Sequence, residues 1–240
     1  MKAAHRLFGI TTIAMALAGA DSGRAALCDF QSIGDGHYTA TWSGPAQGIP
    51  DNNAAGVAFS SGFSATGLRI SDIAVNIDVS GGWNGDLYAY LSHGSGYTVL
   101  LNRVGAVNSG DDGYSTSGFN LLLAPVSTHP GIADIHSVAS PSSFPMAYAA
   151  DGRVSYTDTS RSRTLDGFLN GDPSGTWTLF FADLSPGAVS TLNGWSLDIT
   201  TVPEPVNVAL GWFGAVLLFF AVARSQPVCR LFRWILARSR

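Results

Sequence analysis

The 240-residue chain is 46% hydrophobic but only 12% charged, carries 28 glycines, and has a formal net charge of −4. That length suits one domain plus addressing segments, and scarce charge with abundant glycine points to a loop-rich β protein and away from a helical bundle. Residues 27–205 hold 16 acidic residues against 5 arginines, and so acidic a body, which repels phosphate backbones, argues against nucleic acid as a partner.

The chain opens "MKAAHRLFGITTIAMALAGADSG", with Lys2 and Arg6 ahead of an apolar run over 7–20 that ends in the small residues Ala18 and Ala20. This is the pattern of a Sec-type signal peptide over 1–20, cleaved between about 20 and 26. Residues 27–48 form an N-terminal segment with no assigned pattern. Leu27 directly before Cys28 argues against lipidation.

From there the strand signals dominate. In "LRISDIAVNIDVS", Ile73, Val75, Ile77 and Val79 alternate with small or polar residues, the period of a half-buried strand. "WNGD" reads as a turn, and "LYAYL" resumes the alternation at Leu87, Ala89 and Leu91. The stretch 111–172 is less regular, with short strands expected near 119–123 and 153–156. "TWTLFFAD" then places Trp177, Leu179 and Phe181 on one face, and "LNGWSLDIT" does the same with Trp195, Leu197 and Ile199. Short strands between Gly, Asp, Ser and Pro turns predict an all-β ectodomain, a jelly-roll β-sandwich, between the signal peptide and a C-terminal transmembrane helix.

Beyond the last strand the chain reads "TVPEPV". Prolines cannot continue a helix upstream, so this segment is expected to be extended and exposed. Residues 206–223 contain no charge and, at about 1.5 Å per residue, would cover roughly 27 Å, close to the hydrocarbon thickness of a bilayer. Residues 224–240 hold five arginines and no acid. Arg224, Arg230 and Arg233 begin that cluster, and positive charge stays on the cytoplasmic side. The expected topology is body outside, span over 206–223 and basic tail over 224–240 inside. Cys28 and Cys229 would then lie on opposite sides of the membrane and could not pair.

Little in the sequence carries reaction chemistry. There is no G-x-S-x-G elbow, no H-E-x-x-H, no P-loop and no dinucleotide glycine fingerprint. Glu204 is the only glutamate, and His129 and His136 are scattered in a loop-like region. The expectation is a protein without catalytic residues. Two binding chemistries fit better. The acids are nearly all Asp beside Gly in turns, a composition that suits either tight turns or a hard cation. No other cofactor is implied. Trp83, Tyr88 and Tyr90, with Tyr97 nearby, gather around one hairpin, where aromatic rings can stack on sugars or cover a sheet.

Pro203-Glu204-Pro205, a span and an arginine cluster behind a signal peptide resemble the PEP-CTERM sorting signal of Gram-negative bacteria. The resemblance implies recognition by an exosortase, a membrane-embedded transpeptidase-like enzyme, with delivery to the cell surface or an exopolysaccharide matrix. The tail departs from the pattern by continuing as "SQPVCRLFRWILARSR".

A second resemblance lies upstream. "GIPDNNAAGV", the strand reaching "NGDL", "GTWTLFFAD" and the closing "NGWSLDIT" are similar, in order, to the P (Homo B) domain of subtilisin-like proprotein convertases. It covers 49–200 and implies a jelly-roll sandwich that stabilises a protease and is not itself catalytic. Asp86 and Asp183, each closing one of these strand motifs, are the candidate ligands for a Ca²⁺ ion. Here "SGGW" replaces a His-containing segment, and Asp172 stands before the GTW strand. Three readings follow. The first is a non-enzymatic envelope protein sorted through 202–205, its sandwich binding or structural, with surface polysaccharide as a partner. The second is an accessory P domain docking on a separate secreted subtilisin-like protease. The third is a permanently anchored single-pass membrane protein.

Overall fold

The computed structural model describes residues 30–42, 44–94, 96–141 and 145–224, with backbone alone at 206–208 and 223–224. The expected signal peptide, both cysteines, and Arg230 and Arg233 lie outside the described residues. In chain order the strands are β1 (Gln31–Gly34), β2 (His37–Thr41), β3 (Gln47–Gly48), β4 (Asn53–Phe63), β5 (Leu68–Gly81), β6 (Leu87–His93), β7 (Gly96–Asn102), β8 (Phe119–Ala124), β9 (Ala147–Ala149), β10 (Gly175–Asp183) and β11 (Ser190–Pro203). One helix follows, α1 (Pro205–Arg224).

The larger sheet runs β1-β2-β11-β5-β8-β9, with β3 also paired to β11, and the smaller runs β4-β10-β6-β7. The two 14-residue strands β5 and β11 are the spine of the larger sheet. Their antiparallel register sets Trp195 opposite Ile77, Leu197 opposite Val75 and Ile199 opposite Ile73. Because side chains alternate between faces, these pairs all point inward. Across the core, Leu87, Ala89 and Leu91 of β6 and Trp177, Leu179 and Phe181 of β10 do the same from the smaller sheet, so one apolar core lies between two facing sheets. All four strands expected from alternation are present with the expected faces.

Two expectations need correction. The larger sheet reaches upstream of 49: β2 pairs with β11, Ala40 opposite Leu197 and Tyr38 opposite Ile199, so residues 31–48 belong to the domain. The strand expected near 153–156 is absent. Arg153 there commits its guanidinium to Asp134 and Asp151, and Asp158 accepts the Ser155 N–H, closing a turn. The short strand instead is β9, which pairs parallel to β8.

Among the described residues no helix is long and apolar enough to cross a membrane. The backbone of α1 runs 20 residues.

Candidate functional site

The most unusual chemistry lies where three strands of the smaller sheet end. After β5, Gly81 and Gly82 take φ of +73° and +64°, and a Cβ on Gly82 would fall 1.8 Å from the Ser190 hydroxyl oxygen. The "GG" in "SGGW" is therefore needed to turn the chain tightly over the start of β11. That turn delivers a 3-10 turn, Asn84–Asp86, just ahead of β6. On the neighbouring strand Asp183 closes β10 opposite Leu87, and on its other side it faces Asn53 of β4. The Leu184 N–H donates to the Asp86 carbonyl at 2.9 Å. Asp51, just before β4, accepts the Gly187 N–H with both carboxylate oxygens at 3.1 Å.

Asp86 is 2% exposed and Asp183 0%. Asp183 Oδ1 accepts the Ser185 N–H at 3.2 Å, and Ser185 also hydrogen-bonds the Asp86 side chain. The other oxygens, Asp86 Oδ1 and Asp183 Oδ2, have no hydrogen-bond partner. Burial pushes both carboxyls above their usual range. Ser185 and Arg103 pull Asp86 back down while Asp112 and Asp51 push it up, and Asp86 and Asp51 add to the rise of Asp183. The two residues singled out in the sequence are thus neighbours, and Asp51, from the "IPD" segment, joins them. Among the described residues no three His, Cys, Asp or Glu side chains form a group that could hold a metal ion by themselves.

A second feature covers the outer face of the smaller sheet. With Leu87, Ala89 and Leu91 turned inward, Tyr88 and Tyr90 face out. Tyr90 stacks on Phe180 of β10 with centroids 4.8 Å apart and planes 18° apart, and Tyr88 and Tyr97 flank it at 6.1 and 6.4 Å. The Arg163 guanidinium sits 4.7 Å over the Tyr97 ring. Burial, then the neighbouring Tyr97 and Tyr90 hydroxyls, push the Tyr88 phenol up to about 12. Trp83, exposed in the turn before β6, makes no ring contact with this row among the described residues. Phe180 takes its place, and it was not singled out in the sequence because it lies on another strand.

The Pro-Glu-Pro segment is not a free strip. β11 carries through Pro203, which pairs with Leu68. The Glu204 N–H donates to the Gly67 carbonyl at 2.9 Å, and its carboxylate meets Arg69 Nη2 at 2.9 Å. Pro203 and Pro205 are exposed, and Pro205 opens α1, where the missing N–H costs nothing. On α1, Leu210, Trp212, Phe213, Leu218 and Phe219 are all exposed. Arg224 closes that helix.

The loop region over 103–163 conceals a buried ion network. His136, 5% exposed, donates from Nδ1 to Asp151 Oδ2 at 2.6 Å and from Nε2 to the Ala106 carbonyl at 3.0 Å. With a carboxylate on one side and a carbonyl on the other, both ring nitrogens are placed to donate, an arrangement that favours the imidazolium form. Burial opposes that charge, but the Asp151 carboxylate and the Ala106 carbonyl outweigh it and hold the His136 pKa above its usual value. Arg153 bridges Asp151 at 3.2 Å and Asp134 at 2.8 Å, and Arg161 approaches Asp134 at 3.6 Å. A catalytic triad needs a nucleophile on Nε2. Here a backbone carbonyl occupies it.

No family model matches the chain, and no curated protein does. Among solved structures, the serine protease of Aeromonas sobria in complex with the chaperone ORF2 aligns at a TM-score of 0.38 and 14% identity, covering 70% of this chain and 26% of that one. The serine protease of Aeromonas sobria in a second structure aligns at 0.37 and 14%, covering 68% and 26%. This chain thus spans about a quarter of those structures, and a likeness at such TM-scores carries no inference about function.

Proposed function

We propose that the chain is a non-enzymatic exported protein whose sandwich, of jelly-roll type, acts outside the cytoplasm as a binding or structural module. In this reading the 206–223 segment spans the membrane, the arginines from Arg224 onward stay inside, and Pro203, Glu204 and Pro205 are an address read by an exosortase-type enzyme. The observation that carries it is the join at the end of β11. The last core strand passes without a linker into Pro-Glu-Pro and then a 20-residue helix with apolar side chains exposed on several sides. A surface helix of a water-soluble domain would instead show one polar face. The row of Tyr88, Tyr90 and Phe180 supports a polysaccharide ligand, since flat aromatic faces pack on the C–H face of sugar rings.

The test is the intact mass of the protein from its native host, taken separately from membrane and surface fractions. A C-terminus near Pro203–Pro205 in surface material is the expected result. A mass still including Arg240, found only in membranes, would replace sorting with permanent anchoring.

A second reading is favoured by how the convertase-like segments lie together: Asp51, Asp86 and Asp183, from three of them, act on one another at one end of the smaller sheet. An accessory domain on a separate subtilisin-like protease would co-purify with it, and retention on surface polysaccharide with no protease bound would count against that reading.

A further inference from the structure

We infer that the end of the smaller sheet is a Ca²⁺ site in which Asp86 Oδ1 and Asp183 Oδ2 are the anionic ligands. Both side chains are more than nine-tenths buried, and each keeps one oxygen without a partner. A buried carboxylate oxygen left unsatisfied costs several kcal/mol, so it calls for a proton, a donor or a cation. Nearby donors are committed: the Ser185 N–H goes to Asp183 Oδ1, the Asn52 N–H also acts on the Asp183 carboxyl, and Arg103 directs Nε to the Gly85 carbonyl and Nη2 to the Ser185 hydroxyl. Arg103 offsets part of the charge on Asp86, but the neighbouring acids add to it, since Asp51 acts on both carboxyls and Asp112 on Asp86. A cation is the occupant that this field attracts.

Its chemistry follows from the ligands. The site offers oxygen and neither imidazole nor thiolate, which selects a hard ion over zinc or copper. Mg²⁺ demands near-ideal octahedral geometry and keeps its waters, whereas Ca²⁺ accepts irregular sets of six to eight oxygens completed by water. Because no third carboxylate joins the pair, the charge count is low, and affinity belongs at the weak end, with Kd of about 10⁻⁴–10⁻³ M as in extracellular modules. The ion would tie the start of β6 to the end of β10 and, through Asp51 and Gly187, to the turn before β4. This inference does not depend on sorting or on a sugar ligand.

The experiment uses the full chain purified in detergent. Equilibrium dialysis against radioactive Ca²⁺ is expected to show one ion per chain. Melting in 10 mM CaCl₂ is expected about 4–8 °C above that in EDTA, with less than half that shift from Mg²⁺. Asp86→Asn and Asp183→Asn are each expected to abolish the shift. No saturable binding by dialysis, an equal shift from Mg²⁺ or from sodium chloride at matched ionic strength, or a calcium shift that survives both substitutions overturns the assignment. Dialysis of the wild-type chain decides the matter even if a variant fails to fold.

Discussion

Two groups of buried acids lie in this domain, one in the loops around Asp151 and one at the strand ends around Asp183, and they are satisfied in opposite ways. Asp151 has a counter-charge on each oxygen, His136 on Oδ2 and Arg153 on Oδ1. Asp183 has the Ser185 N–H on Oδ1 and no hydrogen-bond partner on Oδ2, and the only further donor acting on it is the Asn52 backbone N–H. The loops have no apolar ladder to hold them, so ionic contacts between 103–106, 134–138 and 150–163 supply the cross-links, each partner being desolvated and matched. The strand ends are already held by β pairing, so their acids are not needed as ties within the chain. Buried acids of equal depth therefore differ in kind: one set is structural, the other is available to a ligand.

The largest effect is expected from breaking the satisfied set. Asp151→Ala leaves the His136 imidazolium and the Arg153 guanidinium without their shared carboxylate, and should cost about 3–5 kcal/mol in thermal unfolding. A loss no larger than that of a half-buried Asp78→Ala control on β5 would show that the network is ornamental. Next comes pH. The folded pKa of His136 is raised, so its contribution is fully present below the unfolded value near 6.5 and is lost as pH rises through the folded value, at about 1.4 kcal/mol per unit of separation. Denaturant titrations from pH 6 to 9 should show this decline in the wild type and a flatter profile in His136→Gln.

Asp183→Asn sharpens the contrast because its sign should be reversed. In EDTA it removes a buried charge and adds a donor beside Asp86 Oδ1, and it should raise stability by about 1 kcal/mol. Destabilisation in EDTA would mean that the strand-end acids are structural like those of the loops. Away from both clusters, Tyr90→Ala should weaken retention on surface polysaccharide about two- to tenfold, as removal of one stacking ring is worth about 0.5–1.5 kcal/mol. The smallest change is expected from Arg69→Ala. It breaks an exposed ion pair to Glu204 worth at most about 1 kcal/mol, so the melting temperature should barely move while release of the C-terminal segment quickens.

Much of the fold was legible because alternation is a local property. β5, β6, β10 and β11 each announce an inner face, and the structure buries the residues expected. The missed elements lacked that signature. β7 is buried almost along its length, so "GYTVLLN" shows no alternation. β9 has three residues and exists through parallel pairing with β8, and β1 and β2 sit at the sheet margin with few buried positions. The segment 153–156 looked strand-like, but Arg153 is held by Asp134 and Asp151 instead. Asp86 and Asp183 were singled out because each closes a strand motif of the convertase-like resemblance. His136, Asp151 and Arg153 were not joined, since 15 residues separate the first two and no spacing rule links them.

By itself the sequence determined the class of the domain, the inner faces of its long strands, its acidic character and the charge reversal at the C-terminus. All of these follow from periodicity and composition, which a chain carries before it folds. Only the tertiary structure decided which acids meet which cations, that Phe180 rather than Trp83 completes the aromatic row, and that Glu204 is latched to Arg69. Those outcomes depend on register between strands far apart in the chain, and register is set by how two faces pack together, which neither strand encodes alone.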